Sequence, residues 1–516
     1  MTKQIDVGFV IPSYDIPTVD DEPGFITPPE GDADEDNATN NQSEDLIGTE
    51  MFTEPLAPLI LCSFIRQNGF EVDLHDTNIE LFLSDKNESR RLKVFGNWLK
   101  KKSPKIIAIE GNCIAYYEDT MKLGKYAKDL LPNSLILTGG VQASCRPQMY
   151  LQPSKYEHPI RKKVETYQDF HFDVIINHEG EYSLLDVTKD FIHHGLEGIK
   201  EINGISYLNK DGAISSTNRR KLIEDLDTIP FPALDLYPIK LLHSFNLKTN
   251  GSFASRGCPH KCAFCHSAAY WNQTWRLRSP KNVIDELTIL KSDYGTKNIL
   301  FYDQLFCGAK KSWMEEFVKL YKASKLNLSF GIQMRIDQLS EEFCKMLKES
   351  DIKFIFTGIE STNPKILKNI HKAYDPSQTV QSLKNAKMNG IKMEASIIVG
   401  LPDDDKEKID FTCNSFEKLA EDKLIDYPAV FLFNPYHGSE IGDNPEKFGI
   451  SIINDNYLDW NFIPVHPVIS TSHLNAEELY TIWYNWRKKL FNKYYKGWRL
   501  GEHMTASKTQ KPTGPD

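Results

Sequence analysis

The sequence predicts an α/β protein with a doubly wound parallel sheet, then a partial or complete parallel barrel, then a helical C-terminal segment. Three observations carry this. Short apolar runs alternate with helical periodicities over roughly the first 200 residues. The alternation resumes after Ser252, with about six strand–helix units in some 190 residues, which suits a barrel. The length of 516 residues and the fractions of 40% hydrophobic, 11% aromatic and 26% charged fit two to four globular domains. They exclude collagen-like, mostly disordered and disulfide-scaffold classes.

In order, IDVGFVIP at 5–12 reads as the first strand. LAPLILCSFIRQN at 56–68 reads as a helix stopped by Gly69. Strands follow at 70–74, 105–109 (KIIAI), 134–137 and 173–176, with helices at 117–131 and 182–194. Ligands of such sheets bind beyond the carboxyl ends of the strands. The turn residues there are Gly111, then Gly139-Gly140, then His178-Glu179-Gly180-Glu181. This places a first domain at 1–205. Residues 206–245 read as a connector that opens on a hairpin turning at Asp211-Gly212 and runs on into LDTIPFPALDLYP. The barrel is placed at 246–470, with strands at 252–255, 298–302, 328–334, 354–358, 394–400 and 429–433. Residues 471–516 form the last segment, a helix capped by Asn475 with Glu478, then a polar tail. Its stripe of Leu479, Trp483, Trp486, Leu490 and Tyr494 reads as a face docked on the barrel.

The net charge of −10 is unevenly spread. Between Lys3 and Arg66 there are fourteen Asp or Glu and no Lys or Arg, leaving the rest at about +4. That balance gives no support for a nucleic-acid partner. The excess lies in a proline-containing acidic stretch at 13–50, read as a solvated, mobile insertion. No run reaches the ~18 apolar residues of a membrane span, and the N-terminus lacks the features of a secretory signal. Nine cysteines, an odd and modest number, fit the reducing cytoplasm, where clustered thiols bind metal or catalyse.

The informative stretch is SRGCPHKCAFCHS at 255–267. Cys258, Cys262 and Cys265 stand at C-x3-C-x2-C spacing, directly after a strand. Three thiolates this close can face one metal centre from a single loop, and soft thiolates favour iron–sulfur clusters or zinc. Zinc would need His266 as the fourth ligand, yet closed zinc sites usually use two ligand pairs separated by a loop. The other cysteines, at 62, 113, 145, 307, 344 and 413, are scattered. Three ligands without a fourth suggest a cubane cluster with one open iron.

This motif, with Phe264 as its aromatic member, resembles that of the radical S-adenosylmethionine (SAM) enzymes. WRLRSPKNVIDEL, ILFYDQLF, GIQMRIDQL, FTGIESTNPKIL and MEASIIVGLP resemble the successive barrel segments of that family, in order. Upstream, NGFEVDLHDTN, LILTGGVQASCRP, DVIINHEGEYSLL and EINGISYLNKDG are similar to the subfamily with a Rossmann-like cobalamin-binding domain. The resemblance covers about residues 1–470. It implies that Cys258, Cys262 and Cys265 hold a [4Fe–4S] cluster. Its open iron would chelate S-adenosylmethionine and cleave it to a 5′-deoxyadenosyl radical. The backbone at Phe264 would line the adenine. Arg335 would partner the methionine carboxylate. Glu360 would bind a ribose hydroxyl or the amino group. Gly400 would let backbone approach the adenosyl group, and Asp303 would face cofactor or substrate. Asn112, Gly139, Gly140, Glu179 and Gly180 would line the cobalamin. Asp73-Leu74-His75 lacks the glycine that completes a cobalamin-histidine signature and follows the wrong strand, so His75 reads as coincidence.

The implied activity is cobalamin-dependent methylation of an unactivated carbon in a small-molecule or peptide substrate. A flavodoxin- or ferredoxin-type donor would supply the electron. The alternatives are radical cyclisation, rearrangement, dehydration or oxidation, and, further off, a non-catalytic iron–sulfur carrier or sensor.

Overall fold

A computed structural model of the chain describes residues 4–13, 53–79, 87–155, 169–245, 248–372, 374–454, 460 and 467–494. The acidic stretch, from residue 14 to 50, and the polar tail lie outside these.

The first sheet has seven strands in the order β2-β1-β3-β4-β5-β6-β7. They are β1 Val7–Ile11, β2 Val72–Asp76, β3 Ile106–Glu110, β4 Leu135–Gly139, β5 Val174–Ile176, β6 Ile205–Leu208 and β7 Ile214–Ser216. β1 to β5 are parallel, with Phe9 level with Leu74 on one side and Ala108 on the other. β1, β3 and β4 are apolar runs buried along almost their whole length, as strands covered on both faces must be. β6 and β7 add antiparallel at the edge. The hairpin expected to open the connector therefore belongs to this sheet, because β6 supplies the ladder partners that the β5 edge lacks. A helix at Glu88–Lys102 has no counterpart in the sequence reading. Its polar composition hides it. Its inner face buries Arg91 at 1% exposure, satisfied by Asp119, Glu88 and Ser13. His75 stacks against Phe95 and Trp98, at 5.6 and 5.3 Å.

The second sheet has six parallel strands in the order β15-β14-β13-β12-β11-β8. They are β8 Thr249–Ser252, β11 Asn298–Phe301, β12 Ser329–Gln333, β13 Ile352–Glu360, β14 Lys392–Val399 and β15 Tyr427–Leu432. Among the described residues β8 and β15 are unpaired edges, so the barrel is partial. A hairpin of β9 (Ser255–Gly257) and β10 (Trp275–Leu277) follows β8. The helix Ala476–Tyr494 closes over β15. Leu479, Trp483 and Leu490 are buried there, and the Trp483 indole donates to the Val430 carbonyl at 3.0 Å. Asn475 and Glu478 exchange capping hydrogen bonds of 2.8 and 3.0 Å. Among the described residues, no helix is long and apolar enough to cross a membrane.

Candidate active site

The β9–β10 hairpin carries the cysteine loop. Gly257 ends β9 at φ +90°, and a Cβ there would lie 2.0 Å from the Thr274 carbonyl oxygen. Only glycine lets the two stems of the loop close. The loop is pinned on both sides at Ala263, whose N–H donates to Ile370 O at 2.9 Å and whose carbonyl accepts from Ile441 N–H at 3.0 Å. Phe264 is partly buried against the main core. Cys258, Cys262 and Cys265 are free and half-buried.

Two cations lie close enough to act on the thiols. Burial pushes the Cys262 thiol up to about 11, while Lys372 and Arg335 pull the other way. Arg335 has its guanidinium forked onto Asp337 at 2.7 and 3.0 Å. Lys372 pairs with Glu360 at 2.5 Å and donates to Gly358 O at 2.8 Å. Both members of the Lys372–Glu360 pair are buried, so each is held by the other. Glu360 stands at φ +62°, just beyond a register shift in β13 that turns its carboxylate inward over Gly358. Arg335 and Glu360 are thus gathered at the cysteine loop. Lys372 and Asp337 were not foreseen, since each lies in a polar turn with no motif of its own.

The donor set suits a cubane. Among the described residues, no three His, Cys, Asp or Glu side chains are arranged to hold a single metal ion. A [4Fe–4S] cluster does not ask for that, because each thiolate takes a different iron. The neighbouring cations favour the deprotonated form that ligation needs.

Two expected contacts lie elsewhere. Asp303 is fully buried and accepts from Ala254 N–H at 3.0 Å and from the Ser255 hydroxyl. Burial pushes its carboxyl up to about 6. It braces the turn into β9. Glu179 points into the interface between the two sheets. Its oxygens take Arg276 at 2.9 and 3.0 Å, Arg256 at 3.1 Å and the Ile223 N–H at 2.8 Å. Arg256 also reaches Glu181 at 2.7 Å. Because Arg256 and Arg276 are paired across β9 and β10, Glu179 ties the cysteine hairpin to the end of β5. Tyr270 adds a hydrogen bond of 2.7 Å to the His178 carbonyl, and Arg146 a bridge of 2.8 Å to Asp443. An arginine two residues before the first cysteine, on a largely buried strand, was the available signal for this contact.

At the other strand ends of the upstream sheet, backbone dominates. Gly111 N–H donates to Gly139 O at 2.8 Å, and Ala143 N–H to Gly111 O at 3.1 Å. The Asn112 side chain accepts from Val141 N–H at 3.2 Å. Gly140 has φ +119°, and a Cβ would lie 2.7 Å from the Asn112 Cα. Gly180 begins the helix Gly180–His194. In the barrel, Gly400 N–H and Leu401 N–H both donate to the buried Asp404 carboxylate, at 3.1 and 3.0 Å.

The Radical SAM superfamily matches residues 253–415, the span that runs from the cysteine hairpin into the helix after β14. Residues 253–415 are thus a radical SAM domain. An uncharacterized methyltransferase of Pyrococcus horikoshii is 28% identical over 82% of this chain and 85% of its own length. An anaerobic magnesium-protoporphyrin IX monomethyl ester cyclase of Rubrivivax gelatinosus is 25% identical over 76% of this chain and 67% of its own. The fold is that of the radical SAM methyltransferase TsrM of Kitasatospora setae, solved with cobalamin and a [4Fe–4S] cluster bound. The two superpose with a TM-score of 0.63 at 14% identity, over 88% of this chain and 81% of that one.

Proposed function

We propose that the chain is a cobalamin-dependent radical SAM C-methyltransferase for a small-molecule or peptide substrate. The observation that carries this reading is the fastening of the cysteine hairpin to the β5 end of the upstream sheet through Glu179, Arg256 and Arg276. It sets the cysteine loop of the barrel against a strand-end surface of Rossmann type, where such sheets bind their ligands. Cys258, Cys262 and Cys265 hold the cluster. Arg335 would meet the methionine carboxylate, and Glu360 with Lys372 the hydroxyl or amino groups of S-adenosylmethionine. Phe264 and Gly400 contribute backbone to the adenosyl group. Asn112, Gly139, Gly140 and Gly180 offer backbone to the corrin ring. When bound, these cofactors supply a 5′-deoxyadenosyl radical and a transferable methyl group. The chain's own work is to orient them and exclude water. A low-potential cytoplasmic donor of flavodoxin or ferredoxin type delivers the electron.

The resemblance to the cyclase supports a second reading, radical ring closure at the same site. Anaerobic reconstitution with iron, sulfide and hydroxocobalamin, followed by reduction with S-adenosylmethionine, tests both. About four irons and one cobalt per chain, with 5′-deoxyadenosine formed, support methyl transfer. Four irons and the nucleoside without cobalt favour cobalamin-free chemistry. Zinc in place of iron would sink both.

A further inference from the structure

We propose that the barrel lumen beneath the cysteine loop is a binding chamber for an organic cation, a substrate that presents a protonated amine to Glu394 between aromatic side chains. The inference rests on the radical SAM reading and adds the substrate class.

Side chains of β14 alternate. Met393, Ala395, Ile397 and Val399 belong to the main core shared with the surrounding helices, whereas Glu394, Ser396 and Ile398 point the other way, into the lumen. In register, Glu394 is level with Phe356 on β13 and Tyr427 on β15. Phe354, Phe356 and Tyr427 form a small apolar cluster separate from the main core. The Phe354 ring centroid lies 4.6 Å from Phe356 and 5.8 Å from Tyr427. These rings and Glu394 make a floor. One level higher, Ser396 and Ala429 are small and leave space on the β14–β15 side, while the Glu360 carboxylate and the Lys372 ammonium fill the place of a side chain at Gly358. The ceiling is Glu360 with Lys372, beside the cysteine loop. With a strand rise of about 3.3 Å per residue, the floor lies roughly 20 Å below Gly400.

Glu394 Oε2 is sealed from solvent and has no hydrogen-bond partner among the described residues. Burial alone pushes its carboxyl up to about 7. The nearby Lys392 acts on Asp426 instead. A carboxylate held this way is costly, and no strand or cap in the barrel uses it. An ammonium group relieves the cost, and the aromatic faces around it favour a cation over a neutral group. An anion would be repelled.

The test is equilibrium dialysis of cluster-reconstituted, cobalamin-supplied full-length protein with phenethylamine and with its neutral counterpart 2-phenylethanol. The amine is expected to bind about tenfold more tightly. In Glu394→Gln the two are expected to bind alike, while the protein stays folded and its iron content matches the parent's. Equal binding of the two probes to the unsubstituted protein overturns the proposal, whether or not the variant folds, as does an amine preference that survives in a folded Glu394→Gln. Missing cobalt would instead overturn the methyltransferase reading and leave the dialysis result standing.

Discussion

The two sheets furnish their facing ends in different ways. The barrel mouth is built from side chains. Three thiols sit beside Arg335 with Asp337 and Lys372 with Glu360, each cation held by its own acid. The upstream strand ends between β3 and β4 are built mostly from backbone, with glycines stitched carbonyl to amide and the short Asn112 and Ser144 side chains joining in. The first kind of surface grips small charged groups at fixed points. The second can lie flat against a large ring system without displacing anything. The charged side chain expected on the upstream side, Glu179, belongs to neither surface. It is the bolt between them.

The largest effect that sharpens this contrast comes from the barrel. Cys262→Ala removes one of the three proposed cluster ligands, so iron incorporation and 5′-deoxyadenosine formation are expected to fall to background. Cobalamin uptake is expected to persist, because no thiol of the loop belongs to the upstream surface. Loss of cobalt and iron together would show that the two surfaces are not separate. The measurements are metal content and nucleoside yield on one preparation.

Next in size is the bolt. Glu179→Ala leaves Arg276 buried without its carboxylate, while Arg256 keeps Glu181. Removing one partner of a buried pair costs about 3–5 kcal/mol. Denaturant unfolding is expected to separate into two transitions, the sheets melting independently. A single transition with an unchanged midpoint would place the interface energy elsewhere.

A third prediction concerns Glu54, which crosses from the upstream domain to the barrel's edge strand. Its Oε1 accepts from the Asn250 side chain at 2.9 Å and Gly251 N–H at 3.0 Å. Burial pushes its carboxyl up from 4.5 to about 7, with Glu286 adding to the rise. The folded state therefore holds the proton more tightly than the unfolded state. The contribution is full below about pH 4.5 and is lost as pH rises toward 7, on the order of 2–3 kcal/mol. Glu54→Gln keeps the acceptor and cannot ionise. It is expected to be more stable than the parent at pH 8 and to flatten the stability profile between pH 4.5 and 7 in urea titrations.

The same contrast explains what was legible in the sequence. After its first strand, expected at 252–255 but found as β8 and β9 on either side of that span, the barrel could be read strand by strand, because its apolar runs, its cysteine spacing and the GIES and VGLP segments are local signals. Arg335 and Glu360 fell where the strands ended. Lys372 and Asp337 were invisible because pairing across a turn leaves no periodic trace. The protein partners of Asp303 and Glu179 were not legible for one reason: a strand-end carboxylate looks the same in sequence whether it meets a ligand or a neighbouring backbone and guanidinium. The helix at Glu88–Lys102 escaped notice because its buried face is anchored by an arginine rather than an apolar stripe.

The smallest expected effect bears most directly on the upstream surface. Gly140 sits at φ +119° and ψ −176°, a region only glycine adopts at ease, and its missing Cβ is what lets the β4 end lie against Asn112. Gly140→Ala should cost about 1–3 kcal/mol of stability, because the strain falls on one residue of a loop that is otherwise well tied. Its functional signature should be out of proportion to that cost. The methyl group pushes the Asn112 backbone outward, so the surface is no longer flat and cobalt uptake should fall while iron content stays at the parent level. Normal cobalt uptake in a folded Gly140→Ala would mean that the corrin does not rest on this loop. The backbone-built surface would then serve only to hold β3 and β4 together, and the difference between the two sheet ends would be one of packing, not of ligand.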